Sequence, residues 1–242
     1  MPIREYPFPQ SCNIFYAFQH DSEIKTHASY QSAKAGDKVA ATDLVYDLAL
    51  GFIKSIAIHM PENAIYVAPF ARELAGDNAI PPVLAAACAV ICNGCVDEII
   101  VQANRVFHTG ADPMERLTTK AEFDGQVKLN EIYVLVDDLT NMGGTIAELA
   151  DYIQRNGGII GGVVVLVNAG RNKQLSPNPK NLKQLKQRFP NEIRDIFNIE
   201  IDALTANEAS YLIGFRTADE IRNRVIKARE ETNLRLRSKG IF

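Results

Sequence analysis

Two runs, IYVLVDD at 132–138 and IIGGVVVLVN at 159–168, are apolar without alternation, and nothing else in the chain narrows its fold as much. A strand with one wet face alternates apolar and polar residues. An unbroken β-branched run is covered on both sides, as in a parallel sheet flanked by helices. AIYVAP at 64–69 and DEIIVQAN at 97–104 read as two further strands. Helical spacing places helices over 35–58, 78–93 and 145–155, between or before these runs. The pattern predicts an α/β fold: an open, mostly parallel twisted sheet with helices on both faces.

The flanks read differently. Residues 1–30 carry Tyr6, Phe8, Phe15, Tyr16 and Phe18 among prolines without a period, and are expected to form an arm. The core then spans 31–170. Within it, 105–126 lapses into a long polar stretch holding Arg116 and Lys120, and loops of that length are functional or disordered. After Gly170 the composition turns to Asn, Lys, Gln and Pro, so 171–242 is expected to be a small, mainly helical appendage. Its last helix, 218–237, sets Ile221, Val225 and Ala228 on one face and arginines around the rest.

With 47% hydrophobic residues in 242, the chain has material for a real core. A net charge of −3 gives no overall reason to expect nucleic acid or an acidic membrane as partner. No apolar run reaches the roughly 20 residues that span a bilayer, and no basic segment followed by an apolar one opens the chain, so a cytoplasmic location is expected. Cys88, Cys92 and Cys95 have an iron–sulfur-like spacing, but VLAAACAVICNGC reads as a buried helix in which cysteine is a small hydrophobe. The four histidines are scattered without metal-ligand spacing.

In an open parallel sheet, ligands bind outside the carboxyl ends of the strands. The richest such end is YVLVDDLTNMGGTIAEL. Asp137 and Asp138 leave the strand, Gly143 and Gly144 come next, and Thr145 opens a helix. Backbone N–H groups in such a turn and at a helix N-terminus form an anion site. Neighbouring carboxylates accept hydrogen bonds from a diol or hold magnesium. A phosphate at one end and a diol at the other describes ribose 5-phosphate. A dinucleotide-binding turn would place its glycines before the acid, and a P-loop would need G-x-x-x-x-G-K-[ST], which is absent.

The segment 134–145 resembles the phosphoribosyl-diphosphate motif of type I phosphoribosyltransferases: apolar residues, two acids, a short variable stretch, two glycines and a hydroxyl residue. SYQSAKAGDKVAATDLV and LTANEASYL more loosely resemble phosphoribosyltransferase-like proteins of phage and mobile elements. The first resemblance implies transfer of ribose 5-phosphate from phosphoribosyl diphosphate to a nitrogenous base, or the reverse, with Mg²⁺ and as a homodimer. It implies that Asp137 and Asp138 bind the ribose hydroxyls and magnesium. Thr140, Asn141, Met142, Gly143, Gly144 and Thr145 would wrap the 5′-phosphate. Met142 stands where the family has a hydroxyl. Asn141 stands where purine-using members place a carboxylate, which weakens a hypoxanthine or guanine reading. Pro69, Phe70, Ala71 and Arg72 match the diphosphate loop, with Arg72 as its catalytic cation. Arg105, Arg116 and Lys120 match the lid that reaches the diphosphate.

Two other functions are compatible with parts of the sequence. A non-catalytic sensor of phosphoribosyl diphosphate would keep the ligand site and touch nucleic acid through the C-terminal helices, which loosely resemble a helix-turn-helix. The apolar face of the last helix favours packing instead. A purely structural interaction module would bind no ribose phosphate at all.

Overall fold

The computed structural model describes residues 2–69, 78–104 and 111–238. In its first half, β1 (Ile14–Phe18) leads into the short helices α1 (Ser22–Lys25) and α2 (Tyr30–Lys34) and the long α3 (Lys38–Ile56). Then come β2 (Ile65–Val67), α4 (Ile80–Ile91), β3 (Cys95–Val96), β4 (Val101–Gln102), α5 (Pro113–Thr118) and β5 (Phe123–Asp124). The second half holds β6 (Ile132–Thr140), α6 (Gly144–Arg155) and β7 (Ile159–Asn168), then α7 (Pro179–Arg188), α8 (Glu192–Phe197), α9 (Ala206–Leu212) and α10 (Ala218–Ser238).

The main sheet is parallel throughout, in the order β1-β7-β6-β2-β3. Helices cover both faces. Val134 and Val136 of β6 and Val164 and Leu166 of β7 pack under α3 and α4, whereas Tyr133, Leu135, Val163 and Val165 pack under α6. This double cover explains why both strands are apolar at every position up to the acids. On α6, Ile146, Leu149 and Ile153 are buried. Each contributes about 1.5–3 kcal/mol by leaving water.

The order of strands matters for function. From β2 the chain crosses through α4 to β3, and from β6 it crosses through α6 to β7 on the other side. Winding directions therefore diverge between β2 and β6. Right-handed crossovers that run in opposite directions place their helices on opposite faces, as α4 and α6 are. A crevice opens at such a switch point beyond the carboxyl ends of the two strands.

Three expectations change. The first thirty residues are more than an arm, because IFYAF forms β1, the edge strand beside β7. The fourth strand is displaced. Cys95–Val96 joins the sheet, and DEIIVQAN leaves it, since the Asp97 Oδ1 accepts the N–H groups of Ile99 and Ile100 at 2.7 and 2.8 Å and turns the backbone away. Val101–Gln102 then pairs antiparallel with β5 in a separate ribbon. Finally, the polar stretch after residue 104 includes α5, started by a capping box between Asp112 and Glu115.

A third core lies in the helical C-terminal part. Leu185, Phe189, Ile193, Phe197, Leu204, Ala209 and Leu212 surround it, and Ile221, Val225 and Ala228 of α10 close it. The apolar stripe of α10 thus serves packing. Met114 and Leu117 of α5 and Met142 from the glycine turn also insert into this core. No helix among the described residues is long and apolar enough to cross a membrane.

Candidate functional site

β6 ends at the switch point, and its last residues carry the acids. The Asp137 Oδ1 folds back to accept the N–H of Asp138 at 2.8 Å. Asp138 is 4% exposed and its Oδ2 receives a hydrogen bond from the Lys34 Nζ at 2.8 Å. Lys34, at the end of α2, is 104 residues away in the chain. Asp137 is only partly covered, yet desolvation and the adjacent Asp138 push its carboxyl above the usual carboxylate range, and Lys34 offsets this only in part. Burial disfavours the Lys34 ammonium, but Asp138 outweighs it and raises its pKa. Among the described residues, the strand end is therefore an acid pair in which Lys34 pairs with Asp138.

The glycine turn comes next. Gly143 takes φ +81°, the left-handed region, and stands as N-cap of α6 with no side chain to satisfy the first N–H groups. A Cβ at Gly143 would press to 2.9 Å on the Leu175 Cδ2. Glycine is thus needed for backbone angle and for room. The turn is held from the far side by the C-terminal part: the Thr205 Oγ1 donates to the Met142 carbonyl at 2.6 Å and the Asn207 Nδ2 to the Asn141 carbonyl at 3.1 Å. Gly170, after β7, completes the packing. A Cβ there would lie against the Asn207 Nδ2 and 2.6 Å from the Asn141 oxygen. Gly170→Ala is expected to lower stability by about 1–3 kcal/mol, read from urea unfolding midpoints.

Beside the first turn of α6 lies a buried charge network. Arg4, 1% exposed, pairs with Glu208 and lies 3.3 Å from Glu148. Its Nη1 also reaches the Gly144 carbonyl at 3.5 Å. Lys120 lies 3.4 Å from the same Glu148 oxygen and donates to the Asn198 carbonyl at 2.8 Å. Burial lowers the Lys120 pKa despite Glu148, and burial raises that of Glu148 despite Arg4 and Lys120. Thr145 and Arg116 share a small pocket with this network.

The residues singled out in the sequence divide accordingly. Asp137, Asp138, Thr140, Asn141, Met142, Gly143, Gly144 and Thr145 lie on one strand end and turn. Pro69 comes two residues after Val67, which pairs with Leu135, just as Asp137 comes two residues after Leu135. The Lys120 ammonium lies against Glu148 and the Asn198 carbonyl. Arg116 sits on α5, its Nε donating to the Ala111 carbonyl at 3.0 Å. Phe70, Ala71, Arg72 and Arg105 lie outside the described residues. Met142 is buried in the C-terminal core rather than turned to a ligand.

Sequence reasoning did not single out Lys34, Arg4, Thr205, Asn207 or Glu208. A signal for four of them existed. SYQSAK contains Lys34, and LTANEASYL contains Thr205, Asn207 and Glu208; these are the two segments that loosely resemble mobile-element proteins.

No family model matches the chain. It is 34% identical over 214 residues to Protein TraN of Escherichia coli, covering 86% of this chain and 48% of that protein. Over 82 residues it is 35% identical to a hypoxanthine/guanine phosphoribosyltransferase of Aciduliprofundum boonei, covering 32% of this chain and 40% of that one. Among solved structures, an adenine phosphoribosyltransferase superposes with a TM-score of 0.34 at 11% identity, over 52% of this chain and 69% of that chain. The chain spans about half or less of the length of these curated relatives.

Proposed function

We propose that this chain is a phosphoribosyltransferase that binds the ribose 5-phosphate part of phosphoribosyl diphosphate at the end of β6. The observation that carries the reading is the placement of an acid pair and, after four intervening residues, an uncapped, glycine-turned helix start at the switch point of a parallel sheet. The identity shared with a hypoxanthine/guanine phosphoribosyltransferase supports it.

In this reading the amides of the turn receive the 5′-phosphate, and Asp137 and Asp138 accept the ribose hydroxyls. A nitrogen of the base attacks the anomeric carbon. The bond from that carbon to the diphosphate oxygen breaks with its electron pair leaving on diphosphate, and the base nitrogen gives its proton to solvent. The acids face the positive charge that develops on the ring. The residues present fit a magnesium ion carried in with the diphosphate: the Asp137 carboxyl is burdened by burial and by Asp138, and a nearby divalent cation would relieve it. Magnesium, when bound, supplies positive charge to the leaving group. Arg72 is the proposed side-chain cation for the same purpose. The acceptor base is proposed to be chosen outside this motif; Asn141 cannot take a proton from a purine as a carboxylate would.

The test is incubation with phosphoribosyl diphosphate, Mg²⁺ and a panel of bases, monitoring diphosphate release, with calorimetry of the sugar phosphate alone. Release with one base is the expected result. Binding without release for any base would favour the sensor, and no heat with either phosphoribosyl diphosphate or ribose 5-phosphate would overturn the reading.

A further inference from the structure

We propose that Thr205 and Asn207, which lie outside the sheet domain, are positioning residues of the phosphate turn: they fix which way its peptide groups point. The inference rests on the reading of that turn as the 5′-phosphate site. In a trans peptide unit the C=O of one residue and the N–H of the next point in opposite directions. The Met142 carbonyl is held by the Thr205 hydroxyl at 2.6 Å and the Asn141 carbonyl by the Asn207 amide at 3.1 Å. The N–H groups of Gly143 and Met142 must then point away from the C-terminal part. The Gly143 carbonyl accepts from the Ala147 N–H at 2.9 Å inside α6, so the Gly144 N–H points out of the helix start. Three successive donors are thereby oriented for one oxyanion.

Both clamping side chains are themselves locked. Thr205 is 1% exposed, and its Oγ1 accepts the Glu208 N–H at 3.1 Å, so its own hydrogen is left for Met142. The Asn207 Oδ1 accepts the Asn172 N–H at 2.8 Å, while its Nδ2 faces the carbonyls of Asn141 and Asn172. Flipping the amide would set oxygen against two oxygens, which fixes its orientation. The departure at Met142 gives this clamp its purpose. Where the resembled family has a hydroxyl donor, this chain has a thioether sunk into the C-terminal core. With one hydroxyl donor fewer, more of the phosphate's hydrogen bonding falls to backbone donors, and their direction weighs more on affinity.

The experiment uses the full chain with ¹⁵N labelling. Ribose 5-phosphate is titrated while the amide signals of Gly143 and Gly144 are recorded, and the dissociation constant and KM of phosphoribosyl diphosphate are measured in parallel. Thr205→Val, close in volume but without the hydroxyl, is expected to weaken ribose 5-phosphate roughly tenfold or more and to raise KM more than it lowers kcat. Thr205→Ser restores the hydroxyl and is expected to restore affinity. Asn207→Ala removes an independent contact and asks the same question should Thr205→Val not fold. Folded variants that bind as the parent does, while the parent shifts Gly143 and Gly144, would overturn the clamp and leave the phosphate site standing. A parent that binds no ribose 5-phosphate would overturn the site itself.

Discussion

Asp137→Asn is expected to weaken binding of phosphoribosyl diphosphate by about 10–100-fold and, in the same protein, to raise the unfolding temperature at neutral pH. The two effects share one cause. Asparagine keeps an oxygen to accept the Asp138 N–H, which Asp137 now does at 2.8 Å. It removes a negative charge that burial and Asp138 both oppose. The pH dependence is a matter of linkage. The folded pKa of Asp137 lies above its unfolded value, so between the two the native state holds a proton that the unfolded chain has given up. Stability therefore falls as pH rises through that interval and is lowest above it. Parent protein in metal-free buffer should gain stability as pH is lowered from neutral into the weakly acidic range, and the asparagine variant should gain less. Calorimetric melting at several pH values, with ligand binding measured on the same samples, checks both halves. A variant that binds normally would remove Asp137 from the site, and one that melts lower at neutral pH would show its charge to be supported rather than strained.

Arg4→Ala is expected to cost about 3–5 kcal/mol of stability, the range for breaking a buried ion pair from one side. The guanidinium is the main counter-charge of Glu208 and shares Glu148 with Lys120. Its loss leaves two buried carboxylates facing one ammonium. Backbone bonds do not compensate, because Arg4 N to Asn198 O and Glu200 N to Arg4 O, both 2.9 Å, are present before and after the substitution. Adding Glu208→Gln to Arg4→Ala should recover part of the loss, since it removes the stranded charge. Urea unfolding of the two variants and the parent decides the matter. A double variant less stable than Arg4→Ala would mean that the cost comes from lost packing rather than from charge.

The elements legible in the sequence are those defined by local physics. IIGGVVVLVN, bounded by Gly157-Gly158 and Ala169-Gly170, is β7 to the residue, because its covered interior is an unbroken apolar run and glycines stand just outside both ends. The start of α6 is legible from Gly143-Gly144 for the same local reason. β1 is not. It sits at the sheet edge with every residue only partly covered, so IFYAF shows neither alternation nor a long apolar run. The displaced fourth strand depends on one side chain, Asp97, whose oxygen competes with the sheet for two N–H groups. In the candidate site, the acids and glycines are legible because they fall within one eight-residue stretch, 137–144. Lys34 and Arg4 meet their partners across 104 and 204 residues, and no spacing rule spans such a gap. A lone lysine in a polar stretch likewise gives no hint of the carboxylate that Lys120 meets on α6.

The hydrogen bonds from Thr205 and Asn207 to the glycine turn also bear on the order in which the protein is made. Strands β1 to β7 are all synthesised before residue 205. Until α9 emerges, the turn between β6 and α6 lacks the two donors that hold its carbonyls. A nascent chain halted after β7 would hold the acid pair and both glycines and still lack the two side chains that set the turn between them.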